Sequence, residues 1–508
     1  MVSNKLLSMD DFPSQLQLHI SARVGGDRAT AARPSPVPDS WPSVRRSDLL
    51  GLTRTVVVSR HLSVDTKNPS DERAINVPQG WSAYISLTAE PETNQTDSPI
   101  IQVIDFNQRV ENFVSATYEP FYFIAPGGKI KLSTQTTTVV FRFTVQWYSN
   151  ITSSDYGFAN VTVADTQPFV TDFFSKIIQV TAETRTTILV MPPEDLNFYG
   201  PYLKFLRRIV FFDGPNENST CLGTAYQLLN SNRQYVSTGR VVTVIPLYPI
   251  YHIPDAYLMF QDFENTKEIG EYRTLACIGE CAPMVMDGTK SASAFSTYFP
   301  RGISGDCLLG ISGTGLLSVY YGGKSESKSN LIASYYLSND SPVFPQSIRG
   351  ETRTYVVTGG VATVNISQHS YSDCQYVETN REGFITSPNY HTGLDMPQSF
   401  DDIIYTSNGL YNFTLRVQDV DLSQNKSIRL SITNNRTRTL NVIYNSTNLP
   451  NSNDIVSGVG NEMRVIYVTE LFEHTTGYYI SYTAKKVKSL TSSRSLYFLV
   501  FVVLSRVF

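Results

Sequence analysis

The chain is poor in the residues that build catalytic, metal and nucleic-acid sites. Six histidines occur in 508 residues, and no two of them have the spacing of a metal-binding pair. The formal net charge is -4, with no long basic block, which excludes the electrostatic footprint of a nucleic-acid-binding protein. We therefore expect a protein that is not an enzyme and that has no cofactor, no metal and no nucleic-acid partner.

Cysteine is scarce and is absent from the first 220 residues. The five cysteines are Cys221, Cys277, Cys281, Cys307 and Cys374. An odd count leaves at least one thiol unpaired within the chain or bridging to another chain. Two interpretations stay open, namely disulfides formed in a secretory compartment and ordinary buried free thiols.

The N-terminus lacks the basic start and apolar run of a secretory signal. Residues 1–61 instead include the Pro/Ser/Arg-rich stretch ARPSPVPDSWPSVRRSD, which predicts a disordered segment. Either the protein is not secreted, or this N-terminus is not the natural one, for example because a first exon was misassigned. The second explanation fits the features described below.

The C-terminal segment, residues 487–508, ends in an apolar run that is too short for a membrane-spanning helix of about 20 residues. Small residues at 481–484, a polar spacer at 485–495 and the apolar run at 496–504 have the layout of a GPI-anchor signal. Arg506 places a charge inside the tail. A lipid anchor, a weak membrane contact and a gene-model artefact are the three interpretations of this tail.

Residues that favour β-sheets are abundant, including 30 Tyr and 27 Phe. In residues 139–148, Phe141, Phe143, Val145 and Trp147 alternate with polar residues, as in a half-buried strand. Residues 428–432 and 478–482 alternate in the same way. Turn pairs such as 359–360 separate such runs at intervals of about 8 to 12 residues, which is typical of β-sandwiches. The predicted fold class is all-β, with tandem β-sandwiches.

We predict four sandwich domains after the N-terminal segment. They cover residues 62–165, 168–278, 282–370 and 374–486. The second contains VFFDG and the third contains SVYYGG, each followed by polar residues. A repeated module explains this shared pattern.

Ten N-x-[ST] sequons are spread along the chain, and they predict N-linked glycosylation of a secreted protein. Asn412 lies on a predicted strand, on the face opposite Phe413, Leu415 and Val417, where a glycan could be accepted. The acceptor residues are Asn94, Asn150, Asn160, Asn218, Asn339, Asn365, Asn412, Asn425, Asn435 and Asn445.

The fourth predicted domain resembles a CUB domain. It opens with CQYVETNREGFITSPNYHTGLDMP and ends with GNEMRVIYVTELFEHTTGYYISYTA. The CUB pattern of a Cys, a Gly-x-Ile-x-Ser-Pro-x-Tyr opening and a Gly-Asn closing hairpin matches these segments. The matching positions are Cys374, Gly383, Ile385, Ser387, Pro388, Tyr390, Gly460, Asn461, Val465, Gly477, Tyr478 and Tyr482.

The first predicted domain, with VIDFNQRVENF, EPFYFIAPGGKIKLS and VVFRFTVQWYS, resembles the CUB-like domain that is expanded in nematodes. Residues 62–486 are consistent with a tandem arrangement of such modules, although the second and third match only loosely. The resemblance implies an extracellular or membrane-raft-associated surface protein of the innate immune response to pathogens. It implies no catalytic activity.

The fourth domain departs from the CUB pattern at two places. The segment FDDIIYTSNG lacks the second cysteine of ordinary CUB domains, so Cys374 either pairs with an upstream cysteine such as Cys307 or stays free. Calcium-binding CUB domains use one Glu and two Asp ligands. Here Glu382 is present, but Glu470 follows Thr469 where an Asp is expected, so calcium is not predicted.

Other motifs are interpreted as structural. Ser304 and Ser312 lie among glycines without the context of a nucleophile elbow, and we interpret both stretches as turns. Cys277 and Cys281 could ligate zinc together with Cys307, but no fourth ligand lies at useful spacing. The basic stretch at 485–488 is interpreted as a solvated charge run.

The sequence favours a non-enzymatic, secreted or surface-anchored CUB-like protein that binds a protein or glycan ligand in host defence. Binding is expected from loops at sandwich ends and from aromatic patches. A structural or adhesive matrix protein is the first alternative. A hydrolase with an unrecognised site is the second.

Overall fold

Strands make up most of the described part of the computed structural model, some with alternating burial and others buried along their length. It describes residues 20–23, 57–59, 70–91, 100–113, 116–133, 139–149, 156–172, 176–248, 256–300, 305–327, 329–337, 343–368, 374–377, 379–387, 390, 395–396, 399–422, 425–451, 453–468, 473–474 and 476–488. The chain divides into two compact units. Unit 1 is Met1–Lys267 with Tyr272–Thr274, and unit 2 is Glu268–Glu271 with Leu275–Phe508.

Sandwich 1, in unit 1, encloses its core between two antiparallel sheets. One sheet is ordered Ile20–Arg23, Val139–Ser149, Trp81–Pro91 and Ala116–Ile124, with Val57–Ser59 also paired to Val139–Ser149. The other is ordered Ser70–Asn76, Gly127–Ser133, Ile100–Asp105 and Val110–Phe113. Within residues 1–61, for which the sequence predicts disorder, the described stretches are thus two short strands.

Sandwich 2, also in unit 1, has a five-stranded and a four-stranded sheet around its own core. The first is ordered Tyr156–Val161, Ile177–Ala182, Val241–Pro246, Ile209–Asp213 and Thr220–Thr224. The second is ordered Phe169–Asp172, Tyr257–Asp262, Thr186–Met191 and Tyr235–Val236. The pairing of Tyr156–Val161 with Ile177–Ala182 is parallel.

Sandwich 3, in unit 2, is built from two five-stranded sheets. One is ordered Ile269–Thr274, Ala292–Tyr298, Thr352–Thr358, Leu316–Tyr321 and Leu331–Tyr336. The other is ordered Gly279–Glu280, Val361–Gln368, Gly305–Gly313 and Gln346–Arg349, with Met284–Asp287 also paired to Val361–Gln368.

Sandwich 4, the last in unit 2, contains the residues of the CUB resemblance. One sheet is ordered Tyr376–Val377, Ser399–Thr406, Glu462–Val468, Ser427–Asn434 and Thr437–Asn445. The other is ordered Arg381–Thr386, Tyr478–Lys486, Tyr411–Val420 and Ile455–Gly460. A two-stranded ribbon joins Asp395–Met396 to Glu473–His474.

The predicted alternation agrees with burial at particular strands. Phe413 and Leu415 are buried, whereas Asn412, which precedes Phe413 on the same strand, is exposed. The hairpin after Ser427–Asn434 turns at Asn435 and Arg436, whose φ angles of 47° and 71° are those of a type I′ turn. This turn matches the right-handed twist of the paired strands.

Short helical segments interrupt the strands of sandwich 2, where the sequence shows no helical periodicity. They are the α-helices Leu196–Tyr199 and Ala225–Leu229 and the 3₁₀ segments Gly200–Arg208 and Phe263–Asn265. Each is shorter than the window of about 11–18 residues in which a helical repeat is recognised, so the sequence does not predict these segments within the all-β fold. Local capping fixes them instead, as when Thr224 and Gln227 form a capping box.

The strand Tyr478–Lys486 contains the residues at which the sequence predicts a lipid anchor to be attached. It lies between Arg381–Thr386 and Tyr411–Val420 in its sheet, and Ala484 is fully buried. Cleavage within 481–484, the predicted anchor-attachment site, would therefore remove part of an inner strand. The anchor and its attachment site stay predictions, and the tail at 489–508 lies outside the described residues.

Candidate functional site

Two clefts lie at the junctions of the paired sandwiches, one within each unit. The unit 1 cleft includes Arg109, Arg207 and Cys221 in its wall, and the unit 2 cleft includes Arg349, Arg381 and Tyr482. Each has a cavity volume of about 40 Å³. A water molecule takes up about 30 Å³ of liquid, and ligand pockets span about 300–1,000 Å³. The clefts are therefore too small for an organic substrate.

The catalytic and metal candidates are not assembled in the described part of the chain. No group of three or more His, Cys, Asp or Glu residues is placed to hold a metal there. Glu382 is exposed on its strand, and Glu470 lies outside the described residues. Ser312 lies at the exposed end of Gly305–Gly313, next to a turn, and Ser304 is outside the described residues.

Four of the five cysteines form disulfides. Cys277 bonds to Cys281 within a five-residue loop, and Cys307 in sandwich 3 bonds to Cys374 at the start of sandwich 4. The second bond closes a sequence separation of 67 residues. Sandwich 4 lacks the second cysteine of the CUB pattern, and its Cys374 instead forms a disulfide with Cys307 of the preceding sandwich.

Cys221 is a buried free thiol next to the unit 1 cleft. Burial raises its pKa to about 11, and nearby Arg109 offsets only part of this effect. Because the thiolate is the reactive form, the folded protein holds Cys221 in an inert state.

Seven of the ten sequon asparagines lie in the described part of the chain, and five of these are exposed and two are half-buried. Asn160, Asn218, Asn412, Asn425 and Asn435 are exposed, and Asn445 is half-buried. The side-chain oxygen of Asn445 accepts bonds from the Thr447 hydroxyl (2.8 Å) and the Thr447 amide (3.0 Å), which form a local turn. Asn365 is half-buried on an inner strand, and Asn94, Asn150 and Asn339 lie outside the described residues.

The CUB-pattern residues of sandwich 4 have packing roles. A Cβ atom on Gly383 would lie 2.9 Å from the Tyr482 hydroxyl and 2.8 Å from Gln346 Oε1, so a larger residue would displace these two side chains. Ser387 is buried, and its hydroxyl accepts a bond from the Tyr478 amide at 3.1 Å. The pattern therefore marks a tightly packed region of the sandwich.

An aromatic ridge on unit 1 is the strongest candidate for a binding surface. We define the ridge as Tyr118, Leu196, Phe198 and Tyr202, whose exposed fractions are 72%, 46%, 62% and 49%. The segment 196–202, LNFYGPY, contains no charged residue. Tyrosine and phenylalanine provide large contact areas in binding sites, and clustered exposed apolar side chains are unusual on soluble surfaces.

Local capping and one lysine hold the ridge in place. The Asp195 carboxylate accepts a bond from the Phe198 amide at 3.0 Å and so begins the short helix. Lys204, two residues beyond Tyr202, donates from Nζ to the Tyr118 carbonyl at 3.3 Å. The helical segment of sandwich 2 is therefore joined to the strand of sandwich 1 that carries Tyr118.

Arg207 fixes the same segment more firmly. It is 2% exposed, and its Nε donates to Glu111 at 2.8 Å while its Nη1 donates to Glu119 at 2.6 Å. The guanidinium also lies 4.0 Å from the Tyr226 ring centre and 4.6 Å from that of Phe121. Such paired, desolvated charges are costly to disrupt, so this contact sets the position of the ridge.

An apolar cluster surrounds these ion pairs. Side chains from both sandwiches of unit 1 pack together, with Tyr122 and Ile124 on one side and Phe212, Ile245 and Leu247 among those on the other. The two sandwiches therefore share a continuous buried interface. The sequence did not reveal the ridge, because Phe198 is exposed and Leu206 buried only through this tertiary packing.

Comparisons with known families match three ranges of the chain. Residues 72–150 match the CUB-like domain. Residues 160–247 and 264–369 match two domains of unknown function, DUF7592 and DUF7591. None of these ranges includes residues 374–486. The chain thus contains a CUB-like domain in sandwich 1, which fits an extracellular binding protein, and no curated protein matches it.

Several solved structures also align with parts of the chain. The CUB1-EGF-CUB2 domains of rat MASP-1 align at 10% identity over 42% of this chain and 99% of that chain, with a TM-score of 0.15. The same domains of human MASP-1/3 align at 11% identity over 40% and 98%, with a TM-score of 0.16. The Cry4Aa toxin of Bacillus thuringiensis aligns at 10% over 55% and 52%, also with a TM-score of 0.16. At these scores the alignments carry no argument about this protein.

Helices in the described part of the chain are all too short or too polar to cross a membrane.

Proposed function

We propose that the protein is a non-enzymatic binding protein of the cell exterior, and that the aromatic ridge of unit 1 is its ligand-contact surface. Its ligand is a protein or glycan on the surface of a pathogen, and its role is in innate immunity. It consists of the four sandwich modules described above, with the strand Tyr156–Val161 in the second and the strand Ile269–Thr274 in the third.

The observation that carries the proposal is the exposure of four large side chains on a fixed scaffold. Burying such side chains at a contact removes apolar area from water, worth about 25 cal/mol per Å². Because Asp195, Lys204 and Arg207 already order the segment, little conformational entropy is lost on binding. A preorganised aromatic surface is what a binding protein requires.

Location outside the cell is supported by two independent features. Disulfides form and persist in oxidising compartments, and two are present here. The exposed sequon asparagines are positioned to carry N-linked glycans without disturbing a core. We also propose that a lipid anchor links the protein to membrane rafts.

The proposal is tested by binding of the intact, secreted chain to heat-killed bacteria, heat-killed yeast and insoluble collagen. Retention on one of the microbial preparations, and not on collagen, is expected. Retention on collagen alone would instead favour the structural or adhesive matrix alternative. Release of the cell-bound protein by a phosphatidylinositol-specific phospholipase C checks the anchor separately.

A further inference from the structure

The strand Tyr156–Val161, at the edge of one sheet of sandwich 2, carries two stacked aromatic rings next to a glycosylation sequon. We propose that the first N-acetylglucosamine of an N-linked glycan on Asn160 packs against the ring of Phe158. This inference rests on the proposed location outside the cell, and it is separate from the ridge and its ligand.

The two faces of this strand have different surroundings. Ala159 and Val161 pack into the core of sandwich 2. Because successive side chains of a strand point to opposite sides, Tyr156, Phe158 and Asn160 share the outer face. The exposed fraction of Phe158 is 73%, and Asn160 is exposed as well. A sugar attached to Asn160 therefore projects on the same side of the sheet as the Phe158 ring.

Tyr156 fixes the orientation of the Phe158 ring. It is partly buried against the apolar cluster at the junction of unit 1. The centres of the Tyr156 and Phe158 rings are 5.9 Å apart, and the ring planes are within 16° of parallel. Asn160 follows about 7 Å further along the strand, on the side of Phe158 that is turned away from Tyr156. The sugar on Asn160 is thus placed to form a third layer on this stack.

The chemistry of the sugar matches that of the ring. The face of an aromatic ring carries partial negative charge, and the C–H groups on one side of a β-linked N-acetylglucosamine are polarised positively by the neighbouring oxygens. Packing the two together also removes apolar surface of Phe158 from water. Because the sugar is bonded to Asn160, the contact costs no translational freedom of a separate ligand.

This arrangement distinguishes Asn160 from the other exposed sequon asparagines in the described part of the chain. An aromatic residue stands two positions before Asn160, on the same face of the strand. The residues two positions before the other four are Asn216, Leu410, Ser423 and Thr433. The Asn160 glycan is therefore the one expected to be ordered by an aromatic ring at this position, and Asn412, which follows Leu410, provides a comparison within the same chain.

The test is a double-mutant cycle on the intact chain, secreted from cells that make high-mannose glycans and trimmed by an endoglycosidase to the first N-acetylglucosamine. Asn160→Gln removes the sugar, and Phe158→Ala removes the ring. With Phe158 present, Asn160→Gln is expected to raise the unfolding equilibrium constant of unit 1 about fivefold, the scale of one aromatic contact. In the Phe158→Ala background, Asn160→Gln is expected to leave this constant unchanged, because the sugar has no ring to pack on.

The matched control is the same cycle with Asn412→Gln and Leu410→Ala, where the effects on the unfolding of unit 2 should be additive because Leu410 offers no ring. Glycopeptide mass spectrometry is expected to show a sugar on Asn160. Additive effects of Asn160→Gln and Phe158→Ala would overturn the proposal and leave Phe158 to an external partner. Sugar on other sequons but not on Asn160 would overturn this proposal alone, whereas sugar on no sequon would contradict the location outside the cell as well.

Discussion

Units 1 and 2 each join two sandwiches through apolar packing and ion pairs, but of the two junctions the one in unit 2 also has a disulfide. In unit 1 the junction is an apolar cluster with Arg207 bound to Glu111 and Glu119, and its one cysteine, Cys221, stays reduced. In unit 2 the junction has a covalent bond between Cys307 and Cys374, with hydrogen bonds and ion pairs around it.

The difference determines what each junction can control. In unit 1 the segment that carries the ridge also carries Lys204 and Arg207, so loosening the junction displaces the proposed binding surface. In unit 2 the bond from Cys307 limits the separation of the sandwiches even if side-chain packing is lost. We therefore expect perturbations of unit 1 to alter binding and perturbations of unit 2 to alter mainly stability.

The largest expected effect on stability is in unit 2. Replacing Cys307 and Cys374 together by alanine removes a bond that closes a separation of 67 residues. In the chain-entropy account, a loop of this size stabilises the folded state by about 4 kcal/mol. Chemical unfolding should show this loss in the transition of unit 2, and binding to microbial surfaces should persist. A loss below 1 kcal/mol would contradict the covalent role of this junction.

The next effect, in unit 1, comes from Arg207→Met. The variant leaves Glu111 and Glu119 without their buried partner, and breaking a buried ion pair costs about 3–5 kcal/mol. The free energy of unfolding of unit 1 should fall by about 3 kcal/mol, and binding should weaken with it. Lys129→Met breaks the exposed pair with Glu72 in the same unit and serves as the control, with no measurable change expected.

A smaller effect separates the two disulfides. Cys277 and Cys281 close only a short loop. In the chain-entropy account, replacing both by alanine should lower the free energy of unfolding by about 2 kcal/mol. Chemical unfolding of this variant beside the Cys307/Cys374 variant measures the difference. Equal losses would show that loop length does not govern the two contributions.

The smallest effect is a pH dependence in unit 2. Burial raises the pKa of Asp402 above its ordinary value of 3.8, and Arg349 opposes that shift only in part. The folded state then holds this proton more tightly than the unfolded state. The contribution of Asp402 to stability therefore decreases as pH rises from 3.8 through the raised pKa. Asp402→Asn should lack this component when unfolding is measured across that range, and identical pH profiles would contradict the shift.

Much of the fold was predictable because each strand carries its own pattern. Alternation at Ile428, Leu430 and Ile432 predicts one buried face, and all three are fully buried. The nine-residue 3₁₀ segment Gly200–Arg208 was not predictable, since it is shorter than the window of about 11–18 residues in which a helical repeat is recognised. A strand can be recognised from the alternation of its own residues, whereas a short helical connection depends on the residues it packs against.

The sequence predicted the type of binding surface but not the residues that form it. The abundance of tyrosine and phenylalanine indicates aromatic patches, but the sequence around Phe198 and Tyr202 reads like any apolar stretch. Arg207 and Leu206 of the same segment are buried in the junction of unit 1. Phe198 and Tyr202 lie on the opposite face and are therefore exposed. The pairing of Cys307 with Cys374 likewise depends on how two sandwiches meet. Residues 72–150 match the CUB-like domain model, in agreement with the resemblance that the sequence of sandwich 1 shows.

The most direct test of the account is the dissociation constant of the intact chain for whichever microbial preparation retains it, measured with the Phe198→Ser/Tyr202→Ser double variant. Phe158→Ser removes another exposed aromatic residue of unit 1, outside the ridge, and is the matched control. The account predicts at least a 100-fold weaker binding for the double variant, about 2.7 kcal/mol, with the control unchanged. Equal binding by the wild type and the double variant would contradict the assignment of the ridge as the binding surface.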